Sequence, residues 1–402
     1  TAMVVVSIVW VVKGDAPRCR VLNGKRVDRI TAFLSSRGSH DDPVHLDENK
    51  AKAFIGCFVR GKGFLFDDKS VECSPVAEMY RILEESPECK EVIYPYIGGE
   101  EVLMSPTHQP HRYIIRFGSR TETESQQWQR PFQIVSQKVR PLREKLSNSP
   151  VDRAHKQYWW RFGNDRPELK EAVRNRGRVL VIPRVSQHLC VTFLPSSLVF
   201  SDQLVVVPSS TNALLTVLQA RVHNDWTWTF ASTLGDGLRY TPTDCFETFP
   251  FPPNYESNAA LESVGNGYYD FRAALMVKNN EGLTKTYNRF HNPDERSPDI
   301  QKLRELHAQM DRVVLDAYGW SDVQPVYDFR VQLDECIRLT WGEDLRDEVL
   351  ARLLELNRVR AVQETKQVSA SPKKSVGRKP RKTPTAAFMT KIPKAITSPR
   401  KL

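Results

Sequence analysis

Residues 218–253, LQARVHNDWTWTFASTLGDGLRYTPTDCFETFPFPP, constrain this chain more than any other stretch. An aromatic-rich helical segment runs into a polar loop, and the loop ends at Phe249-Pro250-Phe251-Pro252. Proline fixes φ and has no N–H to donate, so alternate prolines exclude both a helix and a central strand at that exit. The texture differs on its two sides. Upstream, short strand-like runs dominate; downstream, the apolar residues recur at helical spacing. Strands first and helices after imply an α+β region followed by a helical one.

The pass along the chain gives these expectations. Residues 3–12, MVVVSIVWVV, are nearly all β-branched or aromatic, as in a strand buried on both faces of an α/β sheet. Residues 20–27 form a hairpin about Asn23-Gly24. Residues 35–50 are polar, without periodicity, and read as a linker. Two short strands flank 60–63 within 53–66, and 75–83 is a short helix. Residues 93–97 and 113–117 are strands. Residues 122–146 are helical, broken at Pro131 and Pro141. Residues 178–183, 190–194 and 204–208 are strands. Residues 211–228 form one helix, with Leu214, Leu215, Leu218 and Val222 on one face. Residues 299–318 place Ile300, Leu303, Leu306, Met310, Val313 and Val314 on a helix, with Ser297 or Asp299 as cap and Gly319 as stop. Residues 345–359 repeat that pattern, and no internal repeat is present.

The net charge of +10 is unevenly placed. Residues 366–402 hold 11 Lys or Arg and no acid, so the remainder carries 58 − 11 = 47 basic and 48 acidic residues, a net of −1. The tail repeats a Ser-Pro-basic-basic unit (Ser371-Pro372-Lys373-Lys374 and Ser398-Pro399-Arg400-Lys401) around Arg378-Lys379-Pro380-Arg381-Lys382. Such a segment cannot bury enough apolar area to offset ordering entropy, and disorder is expected. Its charge suits DNA phosphates and a narrow minor groove. Seven scattered cysteines with no C-x-x-C spacing argue against a disulfide framework or zinc site and fit a reducing cytoplasm. No apolar run approaches the roughly 18–20 residues that span a bilayer. Thr1 opens the chain inside a strand-like run, which suggests an internal fragment.

Catalytic patterns are hard to find. Gly61-Lys62-Gly63 and Gly235-Asp236-Gly237 are isolated triplets without the strand and helix that a donor-binding loop needs, and read as turns. Pro252-Pro253-Asn254-Tyr255 and Asn292-Pro293-Asp294 cannot present two hydrogen-bonding groups and a ring together to a flipped adenine. Glu48-Asn49-Lys50, near Asp41 and Asp42, matches half of a nuclease motif but lies in a polar stretch and reads as solvated linker. His108 and His111 lack a third metal ligand nearby and read as a surface turn.

Several motifs, taken in order, carry a resemblance. They include Tyr96-Ile97-Gly98-Gly99-Glu100-Glu101, Arg112-Tyr113-Ile114-Ile115-Arg116-Phe117-Gly118, Val139-Arg140-Pro141-Leu142-Arg143, Tyr158-Trp159-Trp160-Arg161-Phe162 and the 218–253 stretch. Gly282-Leu283-Thr284-Lys285-Thr286-Tyr287 and Asp316-Ala317-Tyr318-Gly319-Trp320 follow. Together with residues 2–14, they resemble the type IIL (MmeI-like) restriction–modification DNA methyltransferases. Phe117-Gly118-Ser119 departs from the Phe-Gly-Asp of relatives, and the basic tail goes beyond the family pattern.

The resemblance implies a domain plan: the end of a methyltransferase domain (1–36), a linker (37–52), a mixed α/β target-recognition domain (53–253), a helical C-terminal domain (254–365) and a disordered basic tail (366–402). It also implies a division of labour. An upstream domain, or a separate catalytic subunit if this chain is a stand-alone specificity subunit, binds S-adenosylmethionine and methylates adenine at N6. These residues grip double-stranded DNA and choose the site, so the chain alone is expected to be inactive and cytoplasmic. Base readers are expected at Arg184, Gln187, Gln203, Asp236, Arg239 and Thr241, with Arg239 reading guanine. Backbone contacts are expected at Lys138, Arg140, Arg143, Lys373, Lys374, Arg378, Lys379, Arg381 and Lys382. Trp226, Trp228, Tyr240, Phe246 and Phe249 are expected in the core rather than as stacking platforms.

Overall fold

The computed structural model describes residues 20–22, 24–33, 36–37, 41–234, 237–332 and 335–370. The run at 3–12, Asp236 and the tail cations lie outside the described residues. Strands β1 (Arg20–Leu22) and β2 (Lys25–Val27) pair antiparallel with Leu22 opposite Lys25. Gly24 adopts φ +78°, the left-handed conformation that so tight a turn requires.

The expected linker is not one throughout. Leu46 is wholly buried, and Asn49 is 2% exposed. The Asn49 side chain donates to the carbonyls of Phe249 at 2.8 Å and Phe246 at 3.3 Å, and Leu46 N–H donates to Glu247 O at 2.9 Å. A buried proline-rich exit leaves carbonyls that no ladder satisfies, and this upstream segment satisfies them. The Glu48-Asn49-Lys50 triplet is therefore a packing device at its centre rather than solvated linker.

Strands β3 (Phe54–Ile55) and β4 (Leu65–Phe66) form as expected but join different sheets. After α1 (Val76–Glu85) come β5 (Ile93–Ile97), α2 (Gly99–Met104) and β6 (Arg112–Ile115). The helical stretch divides into α3 (Glu122–Ser125), α4 (Gln129–Lys138) and α5 (Arg140–Glu144), with its first break at 126–128 rather than at Pro131. Pro131 and Pro141 both sit in first turns, where a missing N–H leaves nothing unpaired. Two unanticipated helices follow, α6 (Pro150–Gln157) and α7 (Pro167–Val173), each starting on a proline.

Next come β7 (Arg178–Pro183), β8 (Val185–Ser186), β9 (Thr192–Pro195), β10 (Val199–Phe200) and β11 (Leu204–Val207). One sheet has the order β10-β5-β6-β4 and a second the order β3-β11-β7-β9. Val179 to Ile182 and Leu204 to Val206 are wholly buried, which explains apolar runs without alternation. The expected single helix at 211–228 is two, α8 (Asn212–Gln219) and α9 (Arg221–Phe230), separated at Ala220 with ψ 156°. Arg221 N–H donates to the buried Asp311 carboxylate at 2.7 Å, so a tertiary acceptor takes the first free donor of α9. Strands β12 (Ser232–Leu234) and β13 (Gly237–Arg239) follow, and β13 also pairs with β8.

Beyond the exit lie α10 (Ala259–Asn279), α11 (Leu283–His291), α12 (Pro298–Ala317) and α13 (Glu343–Ala370). The expected all-helical texture is interrupted by an antiparallel hairpin, β14 (Tyr327–Val331) with β15 (Ile337–Trp341). Two apolar cores result. One surrounds the first sheet with Phe64, Ile114, Phe117, Val135 and Trp159. The other joins Val181, Val205 and Leu218 to Tyr268, Leu303, Val314 and Leu353, so it crosses residue 253 without interruption. Mixed sheets and helices followed by a mainly helical region are the fold class the sequence implied.

Candidate nucleic-acid interface

The corner where β7 ends and β8, β11 and β13 begin or finish gathers four of the expected readers. Arg184 lies between β7 and β8. Its N–H donates to Gln203 O at 2.8 Å, and its carbonyl accepts from Tyr240 N–H at 2.8 Å. Arg239 pairs across the ladder with Val185, and Thr241 follows Tyr240. Residues distant in sequence are thus fixed side by side by backbone bonds.

Beneath this corner the aromatics are core, as expected: Trp226, Tyr240, Phe246 and Phe249 are wholly buried. Trp228 is partly buried, with Arg338 5.0 Å above its ring. Tyr240 OH lies 3.1 Å from His223 Nε2. His223 is wholly buried, and desolvation pushes its pKa down to about 3. The neutral ring therefore anchors the strand that carries Arg239.

The side chains above are partly committed. Arg184 Nη1 donates to Asp202 O at 2.9 Å. Gln203 Oε1 accepts the N–H of Gly99 at 3.1 Å. Only the amide oxygen can face that N–H, so the Gln203 NH2 is left outward as a donor. Gly98 makes this approach possible, because a Cβ there would meet Arg112 Nη2 at 2.8 Å and Gln203 Oε1 at 2.9 Å. Arg112 is itself held on Glu101 by two bonds of 2.6 and 2.7 Å. Arg239 is exposed, and its side chain makes no hydrogen bond or ion pair among the described residues. Gln187 is exposed one residue beyond β8. Thr241 is already occupied, since its hydroxyl caps the following turn by accepting Asp244 N–H at 3.2 Å. Nothing in the sequence links Gly99 to Gln203; only the fold brings its N–H to that side chain.

The expected backbone contacts fare unevenly. Arg143 is 2% exposed and donates to the carbonyls of Val59 at 3.1 Å, Arg60 at 3.2 Å and Tyr158 at 3.4 Å. Burial, with Arg60 nearby, pushes its pKa down to about 10. It pins three segments together and is unavailable to a phosphate. Lys138 donates to Cys73 O at 2.6 Å. Arg140 is exposed, pairs with Glu144 at 2.9 Å and lies 5.3 Å over Trp159. Among the described residues no group of three or more His, Cys, Asp or Glu could hold a metal, and no helix is long and apolar enough to cross a membrane.

Residues 73–253, which include this corner, match the family model described as the MmeI target recognition domain. A solved structure described as the type IIL restriction–modification enzyme MmeI in complex with DNA is similar in fold, with a TM-score of 0.61 at 17% identity. The match covers 84% of this chain and 39% of that one, so this chain spans well under half of that enzyme. No curated protein matches.

Proposed function

We propose that this chain selects the DNA sequence at which a restriction–modification methyltransferase acts, and that the reaction is S-adenosylmethionine-dependent methylation of adenine N6. The observation that carries the reading is the corner formed by Arg184, Gln203 and Arg239. With Gln203 Oε1 taken by Gly99, the free polar groups of these three side chains are N–H donors. Guanine presents two acceptors, O6 and N7, on its major-groove edge, and an arginine fork matches them. The corner therefore suits guanine, and Arg239, exposed and uncommitted, suits it best. Exposed Gln187 extends the row, and Asp236, which lies between β12 and β13 in the sequence, adds an acceptor suited to cytosine N4–H. Lys138, Arg140 and the tail cations Lys373, Lys374, Arg378, Lys379, Arg381 and Lys382 add sequence-independent attraction to phosphates.

The methyl donor is held by residues outside this set. Gly63 is a packing glycine, since a Cβ there would meet Lys138 Cβ at 2.5 Å, and Gly237 lies within β13. Neither offers the open backbone a donor loop needs. S-adenosylmethionine supplies the methyl group when bound by its own domain. The present residues fix the register of the duplex so that one adenine meets it.

Two measurements test this. The chain is used to enrich duplexes from a randomised pool, and DNA from cells carrying the intact gene is mapped for N6-methyladenine. Enrichment of one sequence, with methylated adenine inside it, is the expected result. Enrichment without adenine methylation would remove the catalytic part of the proposal, and no enrichment would remove the whole.

A further inference from the structure

The seam between the two sheets holds a cleft of about 280 Å³ whose lining includes Arg116, Arg166, Lys170, Arg174, Asn175 and Ser197, and no carboxylate. Two of the four cations are neutralised from outside it: Arg116 by Asp165 at 2.7 Å and Arg174 by Glu171 at 2.8 Å. Arg166 and Lys170 have no carboxylate partner among the described residues. Arg166 makes only a long 3.4 Å bond from Nε to Gly56 O, which leaves both terminal nitrogens free. The cleft thus holds a surplus of positive charge between low-dielectric walls, where a field is strongest.

Arg166 is also held at a cost. It adopts a left-handed backbone at φ +52°, rare for a side chain of its size. Its neighbours impose this. Asn164 and Phe58 exchange backbone bonds of 2.9 and 3.0 Å, Asp165 O accepts from Arg116 and Cys57, and Asn164 Oδ1 takes the Arg166 N–H at 3.1 Å. Strain held in place by surrounding bonds is a mark of a functional position.

A short hydrogen-bonded path joins the cleft to the reading corner. Arg166 Nε reaches Gly56 O, Gly56 N–H donates to Leu204 O at 3.0 Å, and Gln203 precedes Leu204. Gly56 lets these backbones approach so closely that a Cβ would meet Ser201 O at 2.1 Å. A major groove is about 12 Å wide, so a group reading a base edge and a group gripping the flanking strand stand about that far apart.

We infer that Arg166 and Lys170 bind a backbone phosphate of the DNA beside the bases read by Gln203 and Arg184. The guanidinium fork and the ammonium would share its oxygens, with Ser197 and Asn175 as neutral donors. This inference rests on the proposed function and adds the contact that sets register.

The test is the double variant Arg166→Gln, Lys170→Gln in the whole chain. Duplex affinity is measured across about 50–200 mM salt on the enriched duplex and on a scrambled one. The expected result is a slope of log affinity against log salt that is shallower by about 0.9, one phosphate's worth, with the ratio between the two duplexes unchanged. An unchanged slope overturns the inference. Should the variant not fold, the unaltered chain is titrated with duplexes carrying single neutral methylphosphonates. One position flanking the read bases must then weaken binding several-fold, and equal tolerance at every position overturns the inference. Inorganic phosphate separates the two sources of the group. If it stabilises the unaltered chain but not the variant while the DNA slope stays put, the cleft takes free phosphate and the DNA contact is wrong. A slope that falls in a chain with no sequence preference keeps the cleft and removes the reading corner instead.

Discussion

Gln203 gives one face of its amide to Gly99 and keeps the other for solvent, and that single commitment sets what the position can recognise. Gln203→Glu preserves an acceptor for the Gly99 N–H but turns the outward face from donor to acceptor. The base preferred at that position should change from one presenting an acceptor to cytosine, whose N4–H2 donates. Selection from a randomised pool reads this directly, and an unchanged preference would place Gln203 outside the reading surface. Arg239→Ala should cost about 1–3 kcal/mol at one base position and little elsewhere, measured by competition with singly substituted duplexes. A uniform loss would make it a phosphate contact. Arg143 belongs to the interior. Arg143→Ala leaves three carbonyls without their donor, so chemical unfolding should show a loss of at least about 2 kcal/mol while the salt slope of DNA binding stays unchanged. Sequence could not separate Arg143 from Arg140, because both are basic residues beside Pro141; the difference arises from the three chain segments that converge on one of them.

Element-scale behaviour follows from where helices are forced apart or together. Helix α8 is buried along its whole length and meets α10 at Gly265, where a Cβ would fall 2.2 Å from Thr216 Oγ1 and 2.4 Å from Asn212 O. Gly265→Ala should therefore destabilise by about 1–3 kcal/mol despite alanine's better helix propensity, as thermal unfolding can show. Helix α9 carries one part of the pH dependence, beside His291 and His307, whose pKa values burial also lowers, and Asp225, whose carboxyl burial raises to about 6. His223 is held well below its ordinary 6.5, near 3, so the unfolded chain binds a proton that the folded one refuses. Its stability contribution is intact above about pH 6.5 and is lost as pH falls toward 3, at up to about 1.4 kcal/mol per pH unit. Because His223 holds Tyr240, acid should loosen the strand beside Arg239. Hydrogen exchange at β13 measured at pH 7 and pH 5 should rise more in the unaltered chain than in His223→Asn, and an equal rise would clear His223. The hairpin at 20–27, strand 93–97 and the helix at 299–318 were legible because turn chemistry or periodicity is local. The Ala220 break was not, since its cause, Asp311, lies ninety residues away in the chain.

Across the whole molecule, the ends of the described chain close over its middle. Asn49 from upstream and Asn357 from α13 both donate into the start of the proline-rich exit, Asn49 reaching Phe249 O at 2.8 Å and Asn357 reaching Thr248 O at 2.7 Å. Tyr318 OH adds Pro250 O at 2.9 Å. The exit was recognisable as an endpoint because prolines announce themselves; that it is a hub was not, because its partners are single polar residues in unremarkable surroundings. Leu46 and Asn49, buried within the polar stretch at 35–50, were hidden in the sequence for the same reason. The corner of Arg184, Gln203 and Arg239 was half legible: strand ends pointed to Arg184 and Gln203, the loop pointed to Arg239, but their adjacency depends on a ladder of three strands. The segregated charge makes its own prediction. Removing residues 371–402 should flatten the salt dependence of duplex binding and leave the preferred sequence unchanged. The central claim, that the folded body and not the tail reads sequence, is tested most directly by enriching a randomised duplex pool on that truncated chain. Recovery of one defined sequence, the same one the full chain enriches, is the result predicted; duplexes bound without preference would contradict it.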